Sequence, residues 1–230
     1  MKNITKQQPT DPLYGRTRFS TSFVDVSDIA GKHCLDIGCG YGWMELALKK
    51  KGASSVLGTE LHASDLITTK KFIHSDDIKF RVGSAIKLPI NDHTFDTVIS
   101  WEVIEHIPKG TEPAMFREVR RVLKPHGTFY LSTPYHSIAR LFDPAYWLIG
   151  HRHYTKSTLI RLAGENGFKV EKCEVRGGWW ELLWLLNLYG SKWILHRRPF
   201  AERFFERRQD QEFASQSGFT NIFLKLKRVL

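Results

Sequence analysis

The sequence HCLDIGCGYGW, residues 33–43, places three glycines at alternate positions directly behind a short, largely apolar run. Glycine permits tight and left-handed turns and leaves room for a ligand to touch the main chain. The run up to Gly38 predicts a buried strand, and residues 43–52 predict the helix that follows it, ended by Gly52. The stretch therefore predicts a strand, a turn that contacts a ligand, and a helix.

Apolar runs and amphipathic stretches alternate along the rest of the chain, which is the pattern of a parallel sheet covered by helices on both faces. Further strands are predicted at residues 55–61, 78–85, 96–103, 128–134, 168–178 and 219–229, and helices at 65–74, 112–127 and 154–168, the last capped by Thr155. The fold class is therefore α/β with a doubly wound, mostly parallel sheet. Residues 178–218 separate the last two strands, where a hairpin needs roughly two to five residues, and are interpreted as an insertion.

The composition limits the class of protein. A chain of 230 residues is long enough for one α/β domain with an elaboration, so a single domain over residues 1–230 is expected. It is 42% apolar and 25% charged, and no tract approaches the roughly 20 apolar residues of a membrane-spanning helix. Residues 1–16 lack the apolar core of a secretory signal, so a cytoplasmic location is expected.

Cysteines and net charge exclude further classes. Cys34, Cys39 and Cys173 are odd in number and lack metal-ligand spacing, which favours reduced thiols over a disulfide framework. The net charge of +10 is spread along the chain rather than gathered in one stripe. A nucleic-acid partner is therefore not favoured.

The carboxyl ends of the predicted strands are where an open α/β sheet binds its ligand. These ends hold residues 36–42, 60–61, 84–85 and 100–106. A dinucleotide site needs glycines in the pattern G-x-G-x-x-G, but Trp43 occupies the place of the third glycine. Glu60 lies twenty residues beyond Gly40, in position to bind both hydroxyls of a ribose. The pattern predicts a ligand with a ribose and no diphosphate, namely S-adenosylmethionine.

Four motifs together resemble the class I S-adenosylmethionine-dependent methyltransferases. They are the D-x-G-x-G-x-G of residues 36–42, the acid that closes the second strand, LPINDHTFDTVIS (88–100) and EVIEHIP (102–108). The similarity is strongest to the small-molecule group that includes enzymes of quinone biosynthesis, and it covers roughly residues 30–176 and the final strand. The resemblance implies a methyltransferase enzyme with a Rossmann-like sheet of seven strands, the last of them antiparallel.

The resemblance also implies the cofactor-binding residues. Asp36, Gly38, Cys39 and Gly40 would border the methionine part, Glu60 the ribose, and Leu61, Ser84 and Ala85 the adenine, with Ser100 and Trp101 beside the reactive end. Trp101 as an ordinary core residue is the alternative. The family usually has an aspartate where Ser84 stands, and serine brings no charge to that hydrogen bond.

Catalysis and metal binding give separate expectations. A hydroxyl acceptor needs a base, and His106 and His136 follow strands four and five, where an acceptor would lie. A partly exposed histidine without a catalytic role is the alternative for each, as it is for His151 and His153. Glu102, Glu105 and His106 would share one face of a helix and could hold a divalent metal, as in similar quinone O-methyltransferases, but the metal-free interpretation is favoured.

The insertion gives the clue to the acceptor. GGWWELLWLLNLYGSKW (177–193) holds four of the seven tryptophans and is apolar nearly all round. Residues 192–209 add six basic residues against two acids, and residues 140–150 add a further apolar wall. These features predict a helical lid over the acceptor pocket or a contact with a membrane surface, on the inner face of a membrane. An apolar or lipid-linked acceptor, with O-methylation, is the favoured hypothesis.

Two other functions remain as alternatives. One is an RNA methyltransferase, and the other is a non-catalytic module that binds the cofactor or a partner protein. Residues 1–30 are expected to act as an N-terminal flap, because Tyr14, Arg16 and Arg18 resemble the segment that closes over the cofactor in the family. The sequence makes no prediction of the oligomeric state.

Overall fold

The computed structural model describes residues 7–148 and 150–229 of the chain. The strands are β1 (His33–Ile37), β2 (Ser55–Glu60), β3 (Ile78–Val82), β4 (Phe95–Trp101), β5 (Leu123–Pro134), β6 (Phe168–Arg176) and β7 (Asn221–Arg228). The helices are α1 (Gly15–Phe23), α2 (Trp43–Lys50), α3 (Ile67–Phe72), α4 (Glu112–Val122), α5 (Pro144–Leu148), α6 (Lys156–Glu165), α7 (Trp179–Trp193) and α8 (Glu202–Ala214).

The strands form one sheet in the order β3-β2-β1-β4-β5-β7-β6. The first five strands in this order pair in parallel, while β7 runs antiparallel to both β5 and β6. The α/β fold with an antiparallel last strand, expected from the sequence, is confirmed. The chain order reverses between β1 and β4, and a crevice opens at the carboxyl ends of strands at such a point.

The helix predicted over residues 112–127 is shorter than expected. It ends at Val122, and β5 begins at Leu123 rather than at residue 128. The ring of Pro125 disfavours helical dihedrals at Lys124, so the helix cannot continue to the glycine at 127. Leu123 instead pairs with Phe95 at the start of β4. The helix predicted from residue 154 begins at Lys156, with the Thr155 hydroxyl accepting a hydrogen bond from the amide of Thr158 as its cap.

Two apolar layers cover the two faces of the sheet. Phe129 and Tyr130 are consecutive residues of β5, so their side chains point to opposite faces. Phe129 packs against Phe116 of α4, while Tyr130 packs against Phe23 of α1 and Trp101 of β4. The N-terminal helix therefore covers the same face of the sheet as the aromatic cluster at the end of β4.

The insertion between β6 and β7 contains α7 and α8, and α8 packs against α1. The Asp210 carboxylate accepts a hydrogen bond from the Gly15 amide at 2.6 Å and pairs with Arg18 at 2.7 Å. The Glu212 carboxylate accepts bonds from the amides of Trp180 and Glu181, which neutralises the positive end of α7. These contacts join α1, α7 and α8 into one layer.

No helix in the described residues is long and apolar enough to span a lipid bilayer.

Candidate active site

The turn between β1 and α2 takes the glycine-dependent shape expected from the sequence. Gly38 and Gly40 have φ angles of 77° and 55°, in the left-handed region that glycine tolerates best. A Cβ atom at Gly38 would collide with Val103, whereas a Cβ at Gly40 would meet nothing within 4 Å. The main chain at Gly40 is therefore open to a ligand.

Glu60 closes β2 and reaches this turn. Its Oε1 atom accepts a hydrogen bond from the Gly40 amide at 2.7 Å, and its Oε2 atom accepts a longer one, 3.3 Å, from the Leu61 amide. The carboxylate is half-buried at the wall of a cavity that Asp36 also lines. The structure thus brings together the acid of β1, the glycine turn and the acid of β2, three features that the sequence predicts to meet.

This cavity, called the glycine-turn cavity below, has a volume of about 640 Å³, which suits a nucleoside-sized ligand. Six carboxyl groups and two cationic side chains of the described residues line it: Asp11, Asp36, Glu60, Asp65, Glu102 and Glu181 against Arg16 and Lys192. Such a wall repels the two phosphates of a dinucleotide and attracts a cation. S-adenosylmethionine carries a sulfonium and an ammonium group, so these residues fit it.

Two carboxyl groups lie buried beneath the turn. Glu45 of α2 is completely buried, and neither of its oxygens has a well-aligned hydrogen-bond partner in the described part of the chain, although Cys39 lies close by. Burial raises the pKa of Glu45 to about 8. Burial, with repulsion from Glu45 and Glu60, also raises the pKa of Asp36 well above its usual range. This pair therefore holds at least one proton near neutral pH.

The raised pKa of Glu45 predicts a pH dependence of stability. The folded protein keeps this proton up to about pH 8 while the unfolded chain loses it near pH 4.5, so the free energy of unfolding falls as the pH rises between these values. Relative to the wild type, the free energy of unfolding of Glu45→Gln should rise by about 3–4 kcal/mol between pH 5 and pH 8, as measured by urea unfolding. Glu165→Gln, at an exposed carboxylate, should follow the wild-type curve. If the free energies of unfolding of the wild type and Glu45→Gln changed equally with pH, Glu45 would not be the group that holds the proton.

A second cavity of about 310 Å³ adjoins the first and is called the histidine cavity below. The two cavities share five lining residues, which are Arg16, Glu102, Leu185, Leu188 and Tyr189. His106, His151 and His153 line the second cavity alone. A ligand in the glycine-turn cavity would therefore face a ligand in the histidine cavity across the side chains of α1, α7 and the end of β4.

Arg16 lies between the two cavities in an ion-pair network. Its Nη1 atom is 3.0 Å from Oε2 of Glu102 and 3.8 Å from Oε1 of Glu181. Burial alone would lower the pKa of Arg16, but the attraction of Glu102 and Glu181 outweighs it and raises the pKa. Glu102 also accepts hydrogen bonds from Ser132 and Asn221. Arg16, one of the residues expected to form the flap, thus links α1 to the end of β4 and to α7.

Removing the Arg16 charge is expected to destabilise the fold. Arg16→Met leaves Glu102 and Glu181 without their cation and should lower the free energy of unfolding by about 2 kcal/mol. Adding Glu181→Gln should restore part of this loss, because one of the two carboxylates then needs no counter-ion. Arg18→Met, which removes an exposed pair with Asp210, should change stability by less than about 1 kcal/mol. Urea unfolding followed by tryptophan fluorescence measures all of these, and equal losses for Arg16→Met and Arg18→Met would contradict the network.

Residues 102–106 do not form the helix that the metal-site hypothesis required. Glu102 has a φ angle of 56°, and the following residues form a turn. Glu102 faces Arg16, whereas the buried Glu105 accepts a hydrogen bond from Thr133 at 3.1 Å, and His106 turns towards His151. Within residues 7–148 and 150–229, no group of three histidine, cysteine or acidic side chains has a geometry that could hold a metal ion.

The histidines expected at the acceptor site separate into two groups. The rings of His106 and His151 meet edge to face with centroids 4.4 Å apart, and burial lowers the pKa of both, that of His151 to about 4. The Nε2 atom of His151 is buried and has no hydrogen-bond partner in the described chain. His153 contacts the Asp143 carboxylate at 3.2 Å. His136 is exposed, contacts a guanidinium nitrogen of Arg140 at 3.0 Å, and lines neither cavity.

The other predicted cofactor residues are not all brought to the cavity. Cys39 and Trp101 line it, and Trp101 also belongs to the buried aromatic cluster. Four do not line it: Leu61, which is exposed, Ser84, Ala85, which packs in the core, and Ser100, which is completely buried. The wall also includes residues that sequence reasoning missed, among them Ser64, Ile67, Thr68 and Gln209. The first three follow β2, so their position after a strand end is a signal that could have identified them.

Comparison with known proteins identifies the domain. Residues 35–131 match the family described as methyltransferase domain. The ubiquinone biosynthesis O-methyltransferase of Xanthomonas oryzae pv. oryzae (strain PXO99A) is 33% identical over 131 residues, which is 54% of this chain and 53% of that protein. The chain therefore spans about half the length of this curated relative.

Solved structures show the same fold over nearly the whole chain. An S-adenosylmethionine dependent methyltransferase from Mesorhizobium loti matches 91% of this chain and 95% of its own, with a TM-score of 0.61 and 20% identity. The cyclase SpnF matches 99% of this chain and 90% of its own, with a TM-score of 0.66 and 17% identity. A cyclase on this fold means that the fold alone does not fix the reaction. The family match and the glycine turn with its two acids identify residues 35–131 as a class I, S-adenosylmethionine-dependent methyltransferase domain, which resembles those of quinone biosynthesis.

Proposed function

We propose that this chain transfers the methyl group of S-adenosylmethionine to a hydroxyl group of an apolar small molecule held in the histidine cavity. The observation that carries the proposal is the contact between two cavities: one has the glycine turn and Glu60, and the other has a pair of histidines among apolar side chains of α7. The name of the Xanthomonas relative, an O-methyltransferase, supports the same reaction type.

The residues of the glycine-turn cavity would hold the cofactor. The Glu60 carboxylate would accept hydrogen bonds from the ribose hydroxyls, and Asp36 and the main chain from Gly38 to Gly40 would border the methionine part. When bound, S-adenosylmethionine supplies a methyl group that its sulfonium already activates. The chain's largest contribution is then to align the acceptor, and such alignment supplies on the order of 7–11 kcal/mol.

The histidine pair would provide the base that a hydroxyl acceptor needs. Lowered pKa values keep both rings neutral at pH 7, and a neutral imidazole nitrogen can accept a proton. His106 is the better candidate, because burial and the neighbouring His106, His153 and Arg16 side chains lower the pKa of His151 to about 4, which makes that ring a weak base. His151 would then position the His106 ring through their edge-to-face contact.

The acceptor is expected to be apolar. Leu182, Leu185, Leu188 and Tyr189 of α7 line the histidine cavity, so an apolar or lipid-linked molecule would bury its surface there. In this proposal α7 acts as the lid and residues 7–30 of the expected flap close the cofactor side through α1. The oligomeric state does not enter the proposal.

Transfer of a labelled methyl group tests this function. The protein is incubated with methyl-labelled S-adenosylmethionine and a cell extract, which is then separated into apolar, aqueous small-molecule and RNA fractions. We expect the label in the apolar fraction. Label in the RNA fraction alone would favour an RNA methyltransferase, and no label in any fraction would favour a non-catalytic module.

A further inference from the structure

The outer side of α7 carries exposed apolar residues that the fold does not require. Trp179, Leu183 and Leu186 are 61%, 44% and 45% exposed, and their spacing places them on one face of the helix. Ile138, Phe142 and Trp147, from the segment before α6, are 80%, 54% and 65% exposed. These six residues are called the apolar face below.

The two halves of the apolar face lie together. The rings of Phe142 and Trp179 are edge to face with centroids 6.4 Å apart, and α5, which carries Trp147, contacts α7. Contiguous exposed apolar surface of this kind is uncommon on proteins that work free in water and marks an interaction site. The side chains belong to the types, tryptophan above all, that are enriched where a protein meets a membrane surface.

The side of α7 next to this face lines the cavities. Leu185, Leu188 and Tyr189 line both of them, and Leu182, which is one turn from both Trp179 and Leu186, is buried against the histidine cavity. The wall of the histidine cavity and the apolar face thus belong to the same helix. An apolar molecule that leaves a bilayer at this face would have to pass only α7 to reach the histidines.

Cations without an ion pair follow α7 in the chain, and one of them, Arg208, lies over the ring of Trp180 at the start of that helix. Five exposed arginines have no carboxylate within ion-pair distance in the part of the chain described: Arg197, Arg198, Arg203, Arg207 and Arg208. The exposed side chains of Ile194 and Leu195, 77% and 51%, lie between α7 and the first two arginines in the chain. Exposed apolar side chains and then exposed arginines thus follow α7 directly in the chain.

From this arrangement we propose that the apolar face and the basic residues after it dock on an anionic lipid bilayer. Lys and Arg side chains near such a surface are attracted by its negative charge, and the apolar side chains add the burial of their area. A second copy of this chain is a poorer occupant, because a symmetric contact would bring two sets of the same cations together. The inference rests on the proposed function for its purpose, which is to bring an apolar acceptor to the histidine cavity, but vesicle binding itself requires no methyl transfer.

Vesicle co-sedimentation of the whole 230-residue chain tests the docking surface. We expect binding to vesicles of phosphatidylcholine mixed with phosphatidylglycerol, and little binding to phosphatidylcholine alone. The double variant Arg197→Glu, Arg198→Glu should lower the affinity for the mixed vesicles roughly tenfold or more. Trp179→Ser with Leu183→Ser should lower it to a similar extent. Thermal unfolding confirms that each variant is folded.

Matched controls make the same changes elsewhere on the surface. Lys70→Glu with Lys71→Glu reverses two exposed charges on α3, and Val26→Ser removes an apolar side chain that is 55% exposed; neither should alter binding. The proposal would be overturned if the protein did not sediment with the mixed vesicles, or if the control variants lost as much vesicle affinity as the face variants. It would also be overturned if light scattering showed a dimer that only the variants of the apolar face disrupt. Methyl transfer without vesicle binding would contradict the docking proposal but not the proposed function. Vesicle binding without methyl transfer would contradict the proposed function but not the docking proposal.

Discussion

Glu60→Ala is expected to lower the affinity for S-adenosylmethionine at least about a hundredfold, since two hydrogen bonds to a charged group contribute about 1.5–3 kcal/mol each. The variant removes the carboxylate for the ribose and also the acceptor of the Gly40 amide, so the turn after β1 loses its tether to β2. Isothermal titration calorimetry measures the change. Glu60→Gln, which keeps the side-chain length but not the charge, should lie between the wild type and Glu60→Ala.

An exposed carboxylate supplies the control for this titration. Glu165→Ala changes the same kind of side chain on α6, far along the chain from the glycine turn, and should bind the cofactor as the wild type does. Thermal unfolding of each variant confirms that it is folded. Normal binding by a folded Glu60→Ala would mean that the ribose is held elsewhere.

His106→Ala is expected to lower kcat for a hydroxyl acceptor by roughly 10²–10⁴, the range for loss of a general base. His136→Ala is the matched control, because this histidine was an equal candidate from the sequence but lines neither cavity, and its kcat should be unchanged. His151→Ala should give a smaller loss than His106→Ala, because it acts on the orientation of His106. Initial rates with a defined apolar acceptor identified by the labelling experiment measure all three.

The pH profile distinguishes a base from a structural histidine. Burial lowers the pKa of His106 below its ordinary value of about 6.5, so wild-type kcat/KM should be level above that pH and should fall only in more acidic solution. His106→Ala should lose this acidic limb. An unchanged profile in His106→Ala, or an equal loss of kcat in His136→Ala, would contradict the role proposed for His106.

The meeting of the glycine turn with the acids of β1 and β2 could be predicted because its determinants are local in the sequence. Glycines at alternate positions directly after a strand indicate a tight turn. The parallel pairing of β1 with β2 then brings Glu60, at the end of β2, next to that turn. Hydrophobic periodicity and the Thr155 cap likewise act over a few residues, which is why every predicted strand is present and the starts of α2 and α4 agree with the structure, although β5 begins earlier and α4 ends earlier than predicted.

Strand ends alone did not identify every wall residue. Ser100 and Trp101 are neighbours in β4, but alternation sends their side chains to opposite faces, so Trp101 meets the cavity and Ser100 is buried in the sheet. Position after a strand therefore predicts closeness to the crevice and not which side chain points into it.

The sequence predicts several residues of the histidine cavity, but not how they are arranged, because the contacts that arrange them join residues distant in the sequence. Glu102 takes a left-handed conformation and pairs with Arg16, 86 residues earlier, so the helical spacing of the acids and His106 was misleading. The rings of His151 and His106 are in contact because the segment between β5 and α6 returns to the turn that follows β4. Contacts of this kind depend on tertiary structure, which hydrophobic periodicity does not encode.

The central claim is that the carboxyl ends of β1 and β2 bind the adenosyl part of S-adenosylmethionine. A crystal structure of the chain with S-adenosylhomocysteine, which has the same nucleoside, tests it most directly. We predict the ribose hydroxyls within hydrogen-bond distance of Glu60 and the amino-acid end beside Gly38. An empty glycine-turn cavity at saturating ligand, or a dinucleotide bound there instead, would contradict the claim.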